Sequence, residues 1–196
     1  MRLIITRHGQ TEENREGIIQ GHLPGHLSPA GLEQAKKVAL RLKDEPIDFI
    51  LSSDLARAAD TAREIARFHP DVPLEFSEAM RERFLGEWQG KRKKELRIDR
   101  SKGIEASLPR DAEPLDALYA RASDLVTRVL TDHPHDSVLL VGHSGINKAI
   151  IAALAGKGAE GIHSVDHQRN TGVTVLEVNE QGHHEVLCCN CTKHLD

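Results

Sequence analysis

Of the twelve histidines in this 196-residue chain, two stand where an apolar run ends in a glycine-containing turn. They are His8 in Arg7-His8-Gly9 and His143 in Gly142-His143-Ser144-Gly145. A neutral imidazole nitrogen is both a nucleophile and a proton carrier. The neighbouring Arg7 offers a planar fork of N–H donors suited to phosphate oxygens, and Gly9 lets backbone approach closely. Together they suggest transfer of an anionic, phosphate-like group. A bare Arg-His-Gly tripeptide reads equally well as an incidental loop, so the weight rests on its companions. Arg57 in Ser53-Asp54-Leu55-Ala56-Arg57 is one. Another is the irregular segment Met80 to Gly90, which holds the only Trp, two glycines and two acids, Glu82 and Glu87, either of which can carry a proton.

These residues need a scaffold, and the apolar pattern outlines one. Leu3-Ile4-Ile5 reads as a buried strand that delivers His8 at its carboxyl end, the edge where open α/β sheets bind ligands. The stretch from Gly17 to Gly25 is irregular and suits the rim of a pocket. Ser28 and Pro29 open a helix, with Leu32, Ala35, Val38, Ala39 and Leu42 at the spacing of one buried face. Ile47 to Leu51 is a second strand. The helix after it, from about Leu55, carries Leu55, Ala58, Ala62, Ile65 and Ala66 on one face. Arg57 falls in its first turn, where unpaired N–H groups and a positive charge together favour an anion. As a lone residue it would pass for solvated.

A short strand is expected at Pro73 to Phe76, and a long helix from Leu115 through Val129. Ser137 to Val141 is the strongest buried strand, and Gly142-His143-Ser144-Gly145 turns it into an apolar helix, Ile146 to Leu154. This repeats the setting of His8. Asn170-Thr171-Gly172 leads into an alternating strand at Val173 to Val178; Gln181-Gly182 then turns to a last strand at Glu185 to Cys188. No linker, repeat or low-complexity stretch divides residues 1–196, so one domain is expected.

With 39% apolar and 29% charged residues and a net charge of -4, the chain is expected to be soluble, without a nucleic-acid or membrane partner. No apolar run approaches the ~18 residues of a membrane span, and a strand pattern stands where a leader would, so a cytoplasmic location is expected. Cys188, Cys189 and Cys191 crowd within four positions, which makes no disulfide framework. With His194 they lack the second ligand pair of a zinc site, so neither metal nor cofactor is expected, and Cys188 and Cys189 should simply end a strand. His22, His26, His133, His135, His183 and His184 lie in polar, turn-like context and are expected in solvent. The basic stretch Lys91 to Lys102 is either a solvated face or a lid that attracts a polyanion.

Four motifs now stand in order: Arg7-His8-Gly9-x-Thr11-x-x-Asn14; Ser53-x-Leu55-x-Arg57-Ala58-x-x-Thr61-Ala62; Arg81-Glu82 with Gly86-x-Trp88-x-Gly90; and Gly142-His143-Ser144-Gly145. From Leu3 to about Val178 the chain resembles the histidine phosphatase superfamily, phosphoglycerate-mutase-like branch. The resemblance implies a three-layer α/β/α sandwich around a mostly parallel sheet, with metal-independent catalysis through a phosphohistidine. It implies His8 as nucleophile, Arg7, Arg57 and His143 as the shell around the phosphoryl group, and Glu82 as proton donor. Asn14 would add a hydrogen bond and Ser144 its backbone N–H, whereas Thr61 would be structural. Gln20-Gly21 matches a segment that touches substrate.

Mutases of this family carry a substantial insertion after the Trp-containing loop. Here Gly90 to Leu115 is compact, and a more open site admits water. A phosphatase of small-molecule phosphate monoesters is therefore expected: sugar phosphates, bisphosphates or phosphoglycerates. The alternatives are a cofactor-dependent phosphoglycerate mutase and a catalytically idle phosphate-binding or interaction module. The presence of His8, Arg57, Glu82 and His143 speaks against the idle module. Cys191-x-x-His194-Leu195, Ile18-Ile19-Gln20-Gly21 and Ser52-Ser53-Asp54-Leu55 are similar to small fructose-2,6-bisphosphatases of the TIGAR type. Broad-specificity phosphomonoesterases and α-ribazole phosphatases share the same core, which leaves the substrate open. The partner expected is a small phosphate ester, with a homodimer as an open option.

Overall fold

In the computed structural model, which describes residues 1–98, 103–179 and 184–196, strand β1 (Arg2–Arg7) is buried from Leu3 to its end. Leu3 and Ile5 join one hydrophobic cluster and Ile4 another. A strand that is apolar on both faces belongs in the middle of a sheet covered on both sides. The sheet adds β2 (Phe49–Ser53), β3 (Leu74–Ser77), β4 (Ser137–Gly142), β5 (Val173–Val178) and β6 (His184–Cys191). Its order is β3-β2-β4-β1-β5-β6. The first four run parallel, whereas β5 and β6 are antiparallel to their neighbours.

Helices α2 (Pro29–Leu42) and α3 (Ala56–Ala66) cover one face, packing on Ile4, Ile50, Leu139 and Val141. Helices α4 (Leu115–Asp132) and α5 (Ser144–Leu154) cover the other, on Leu3, Ile5, Val138 and Leu140. Alternate residues of β4 thus feed opposite cores, as the two-residue period of a strand requires. The fold is the expected α/β/α sandwich around a mostly parallel sheet. A short helix, α1 (Glu12–Glu16), follows the first loop; Thr11 caps it, with Asn14 closing a capping box.

Ser28 caps α2 by accepting the Gly31 N–H at 3.0 Å. Ala35, Val38, Ala39 and Leu42 bury the expected face, but Leu32 is 50% exposed. Gly31 takes the buried place instead. A Cβ on Gly31 would overlap the Gln10 carbonyl oxygen, and one on Gly9 would come within 2.5 Å of the Gly31 oxygen. The loop that carries His8 therefore lies backbone to backbone on the first turn of α2, a contact that only glycines allow.

Three histidines expected in solvent, His22, His133 and His184, are half-buried. His133 stacks on Phe49 at 4.3 Å. His22 sets Nε2 2.7 Å from the Glu82 carbonyl oxygen and its edge against Phe84. His26 and His135 are exposed. Strand β6 runs three residues beyond Cys188. Asp99, Arg100 and Lys102 of the basic stretch, the turn at Gln181-Gly182, and His183 lie outside the described residues. Among the described residues no helix is long and apolar enough to cross a membrane.

Candidate active site

The carboxyl ends of three adjacent strands meet at one edge: Arg7 pairs with Gly142, and Ser52 with Val141. His8 leaves the first, His143 the second, and Ser53 with Arg57 the third. His8 is buried, and its Nδ1 lies 2.6 Å from the Gly9 carbonyl oxygen. A carbonyl accepts only, so Nδ1 carries the proton and Nε2 keeps its lone pair. His143, the N-cap residue of α5, has Nε2 2.8 Å from Ser53 Oγ. That hydroxyl accepts the Leu55 N–H at 3.2 Å and can give its own hydrogen to His143 Nε2, the arrangement in which the ring proton sits on Nδ1. The two rings are 5.0 Å apart. Burial, followed by Arg7 and Arg57, holds the His8 pKa well below the usual imidazole value. Burial, then Arg57, does the same for His143. Both rings are neutral before any anion arrives.

Arg57 is 1% exposed, far from a solvated surface residue. Its Nη1 donates to the Leu23 oxygen at 2.9 Å and its Nη2 to the Gly21 oxygen at 2.7 Å. The irregular segment from Gly17 to Gly25 is therefore the wrapping of a guanidinium. Gly21 has φ +52°, where a Cβ would also overlap the Gln89 amide. Arg7 donates Nη1 to the Gln168 oxygen at 2.8 Å and touches His167 Nε2 at 3.3 Å. Burial lowers both arginine pKa values, that of Arg57 to about 10, which leaves both cationic at neutral pH. Arg7 Nε, Arg57 Nε and His143 Nδ1 are buried and hydrogen-bond to nothing among the described residues. Buried donors without acceptors are costly, and three of them around one imidazole define a place for an anion.

A cavity of about 130 Å³ opens here, lined by Arg7, His8, Asn14, Gln20, Gly21, Arg57, Glu82 and Ser144. Of the residues that the resemblance assigns to catalysis or substrate binding, all are at the cavity wall except His143, whose ring lies 5.0 Å from that of His8. Asn14 Oδ1 accepts from Thr11 N and from Asn170 Nδ2, both at 3.3 Å. Its Nδ2 remains the donor on offer. Glu82 Oε1 accepts the N–H groups of Arg83 at 2.9 Å and Gly145 at 2.8 Å, so its carboxyl sits on the first turn of α5. Arg121 fastens the approach to it, donating Nη1 to the Ala79 and Arg81 carbonyls at 2.9 and 2.8 Å. Glu87 is exposed and away from the cavity. Thr61 is structural: Oγ1 accepts the Gly9 N–H at 3.1 Å and donates to the Arg57 oxygen at 2.8 Å.

His167 and Leu85 line the cavity without having been singled out in the sequence. His167 bridges Arg7 and Ser144, its Nδ1 being 3.1 Å from Ser144 Oγ. Lys93 reaches the wall from the basic stretch. Three roomier hollows are present among the described residues, of about 450 Å³ beside Phe49 and His133, about 500 Å³ around Met1 and Glu177, and about 420 Å³ beside Ala79 and Arg121. The second lies at the amino ends of β1 and β4, the wrong edge for an α/β ligand site. Of the three, only the second has a buried unpaired donor on a lining side chain, Arg2 Nε alone.

The chain matches the histidine phosphatase superfamily (branch 1) over residues 3–192. It belongs to that family. A metal-independent phosphoserine phosphatase of Arabidopsis thaliana is 34% identical over 184 residues, covering 86% of this chain and 76% of the relative. A mycobacterial glucosyl-3-phosphoglycerate phosphatase, solved in complex with VO3, superposes with a TM-score of 0.88 at 27% identity, covering 97% of this chain and 99% of that one. A phosphoserine phosphatase of Entamoeba histolytica, in complex with 3-phosphoglyceric acid, does so at 0.86 and 30% identity over 100% and 99% of the two chains. This histidine phosphatase is accordingly a hydrolase of small-molecule phosphate esters. Its tail packs on α2, where Lys37 Nζ donates to the Leu195 oxygen at 2.9 Å, and is no part of the cavity wall.

Proposed function

We propose that this enzyme transfers the phosphoryl group of a small phosphate monoester to His8 Nε2 and then to water. The observation that carries this reading is the trio of buried, unpartnered donors on Arg7, Arg57 and His143 around a histidine whose other nitrogen is tied to Gly9. The Nε2 lone pair attacks phosphorus as the ester P–O bond breaks. The leaving oxygen takes a proton from the Glu82 carboxyl. Arg7 Nε, Arg57 Nε, His143 Nδ1–H, Asn14 Nδ2 and the Ser144 N–H hold the equatorial oxygens, where charge accumulates. Glu82, now a carboxylate, draws a proton from water. The water oxygen attacks phosphorus, the P–N bond breaks, and His8 recovers its lone pair. Two guanidiniums carry the positive charge this needs, so the mechanism calls for no metal or cofactor.

The substrate class follows from the rest of the wall. Lys93 and His167 add cationic and donor groups beyond the phosphoryl shell, next to apolar Ile18, Ile19 and Leu85. A compact monoester with a second anionic group, such as a phosphorylated hydroxy acid or amino acid, suits them. Its similarity to the phosphoserine phosphatases of Arabidopsis and Entamoeba supports the same reading. A cytoplasmic setting accords with three free thiols.

The test is a phosphate-release panel that pairs esters with and without a carboxylate. The carboxylated members should show the higher kcat/KM, and Lys93→Ala should narrow the difference about tenfold, the worth of one charge-assisted hydrogen bond. Equal loss on both classes would refute the assignment of Lys93. Efficient isomerisation of 3-phosphoglycerate with catalytic 2,3-bisphosphoglycerate, without net phosphate release, would overturn hydrolysis itself.

A further inference from the structure

Cys188 and Cys191 are three positions apart on β6, where a regular strand would point them to opposite faces. The ladder slips between them. Cys191 pairs with Val173 and Cys188 with Val175, so three steps on β6 span two on β5. Asn190, inside the bulge, has φ +44°. Both sulfurs consequently meet one guanidinium: Arg41 donates Nη1 to Cys191 Sγ at 3.2 Å and Nη2 to Cys188 Sγ at 3.9 Å. Cys188 Sγ in turn donates to the Val173 oxygen at 3.7 Å. Phosphoryl transfer makes no use of them.

The residue between them binds the loop that carries His167 to the cavity wall. Asn190 Oδ1 accepts the Arg169 N–H at 2.9 Å, and Nδ2 donates to the His167 oxygen at 2.9 Å. Its own N–H donates to Thr174 Oγ1 at 2.9 Å. Gly172 makes room for it, since a Cβ there would overlap the Asn190 amide. The loop held this way contains Gln168, whose carbonyl accepts Arg7 Nη1 at 2.8 Å. A bulge framed by two thiols thus clasps the loop to which Arg7 is tied.

We propose that Cys188 and Cys191 form a reversible redox site, in which hydrogen peroxide drives a disulfide that shifts Asn190, loosens the loop at residues 167–169 and weakens phosphate-ester binding. The Cys191 thiolate attacks one peroxide oxygen, the O–O bond breaks, and hydroxide leaves with a sulfenic acid behind it. The Cys188 sulfur attacks the sulfenic sulfur; the S–S bond forms, the S–O bond breaks, and the Cys188 proton departs with the hydroxide as water. Two thiols lose two electrons and two protons, and one peroxide becomes two waters. A dithiol reverses it. The Lys193 N–H and Arg41 lower the Cys191 pKa to about 7, whereas burial raises that of Cys188. Cys191 is therefore the attacking sulfur and Cys188 the resolving one.

Thiol counting tests the site without reference to catalysis. The full chain is treated with hydrogen peroxide, its remaining thiols are blocked with N-ethylmaleimide, and its mass is measured. The three free cysteines should take three labels before oxidation and one after, with a Cys188–Cys191 link in the peptide map that dithiothreitol removes. Arg41→Met should slow the reaction about tenfold through loss of thiolate stabilisation. Three labels after peroxide, a link through Cys189, or an unchanged rate in Arg41→Met would overturn the site. The coupling rests on the proposed role of Arg7. The KM for phosphate esters should rise about tenfold on oxidation, the worth of one or two hydrogen bonds, and recover with dithiothreitol. Cys191→Ser should keep the resting KM and ignore peroxide. A clean disulfide with unchanged KM, or an equal loss in Cys191→Ser, would overturn the coupling alone.

Discussion

Gly145 is a glycine because Glu82 sits on it. A Cβ at Gly145 would overlap Glu82 Oε1 and stand 3.3 Å from its carboxyl carbon, yet 3.6 Å from Arg83 Cβ, an ordinary contact. Gly145→Ala should therefore push the carboxyl off the N–H groups of Gly145 and Ile146, which it accepts at 2.8 and 3.3 Å, and disturb little else. Alanine is the better helix former by about 1 kcal/mol, so the melting temperature should hold or rise. Catalysis should suffer, because a positioned general acid contributes about 10²–10⁴-fold and a displaced one loses much of it. We expect kcat on an alkyl phosphate to fall about 100-fold, and on p-nitrophenyl phosphate, whose leaving group needs no proton, less than about tenfold. The assay is phosphate release on both esters beside a thermal melt, with Glu82→Gln for comparison. Wild-type kcat on the alkyl ester in Gly145→Ala, with Glu82→Gln impaired, would show that catalysis does not depend on where α5 holds this carboxyl.

Three further outcomes follow from the same geometry. His8 and His143 are buried and neutral, with pKa values well below 6.5, and unfolding lets both rise toward about 6.5. The unfolded chain then binds more protons, so stability should fall as the pH drops below about 6.5, by up to about 2.7 kcal/mol per pH unit for the pair. Urea titrations across about pH 5 to 8 measure this, and a flat profile would mean that the rings are not held neutral. Arg121→Met orphans the carbonyls of Ala79 and Arg81 together with the Glu113 carboxylate, and should cost about 2–4 kcal/mol in urea unfolding; less than about 0.5 kcal/mol would refute its role in holding the Glu82 segment. Glu82→Gln should depress kcat far more than Glu87→Gln, and the reverse order would reassign the acid.

The sequence carried the strands, the helices and most of the site because each functional residue follows a strong local signal. His8 and His143 end apolar runs, and Arg57 opens a periodic helix. His167 carried no such signal: it lies in an irregular stretch and matters only through long-range contacts with Arg7 and Ser144. Lys93 was one cation among many until the cavity singled it out. Leu32 fitted the helical period, but close backbone packing at Gly31 took its place, a constraint that periodicity does not record. His22 looked solvated in its glycine-rich surroundings and instead binds the Glu82 backbone. The thiols of β6 showed their common direction only through a bulge.

The central claim is a covalent phosphoryl group on His8, and trapping it tests this most directly. A rapid quench in base during turnover of a labelled phosphate ester should yield an acid-labile, base-stable phosphohistidine. Peptide mapping should place it on His8, attached through Nε2, and His8→Ala should yield none. Label on His143, label persisting in His8→Ala, or full turnover by that variant would contradict the mechanism.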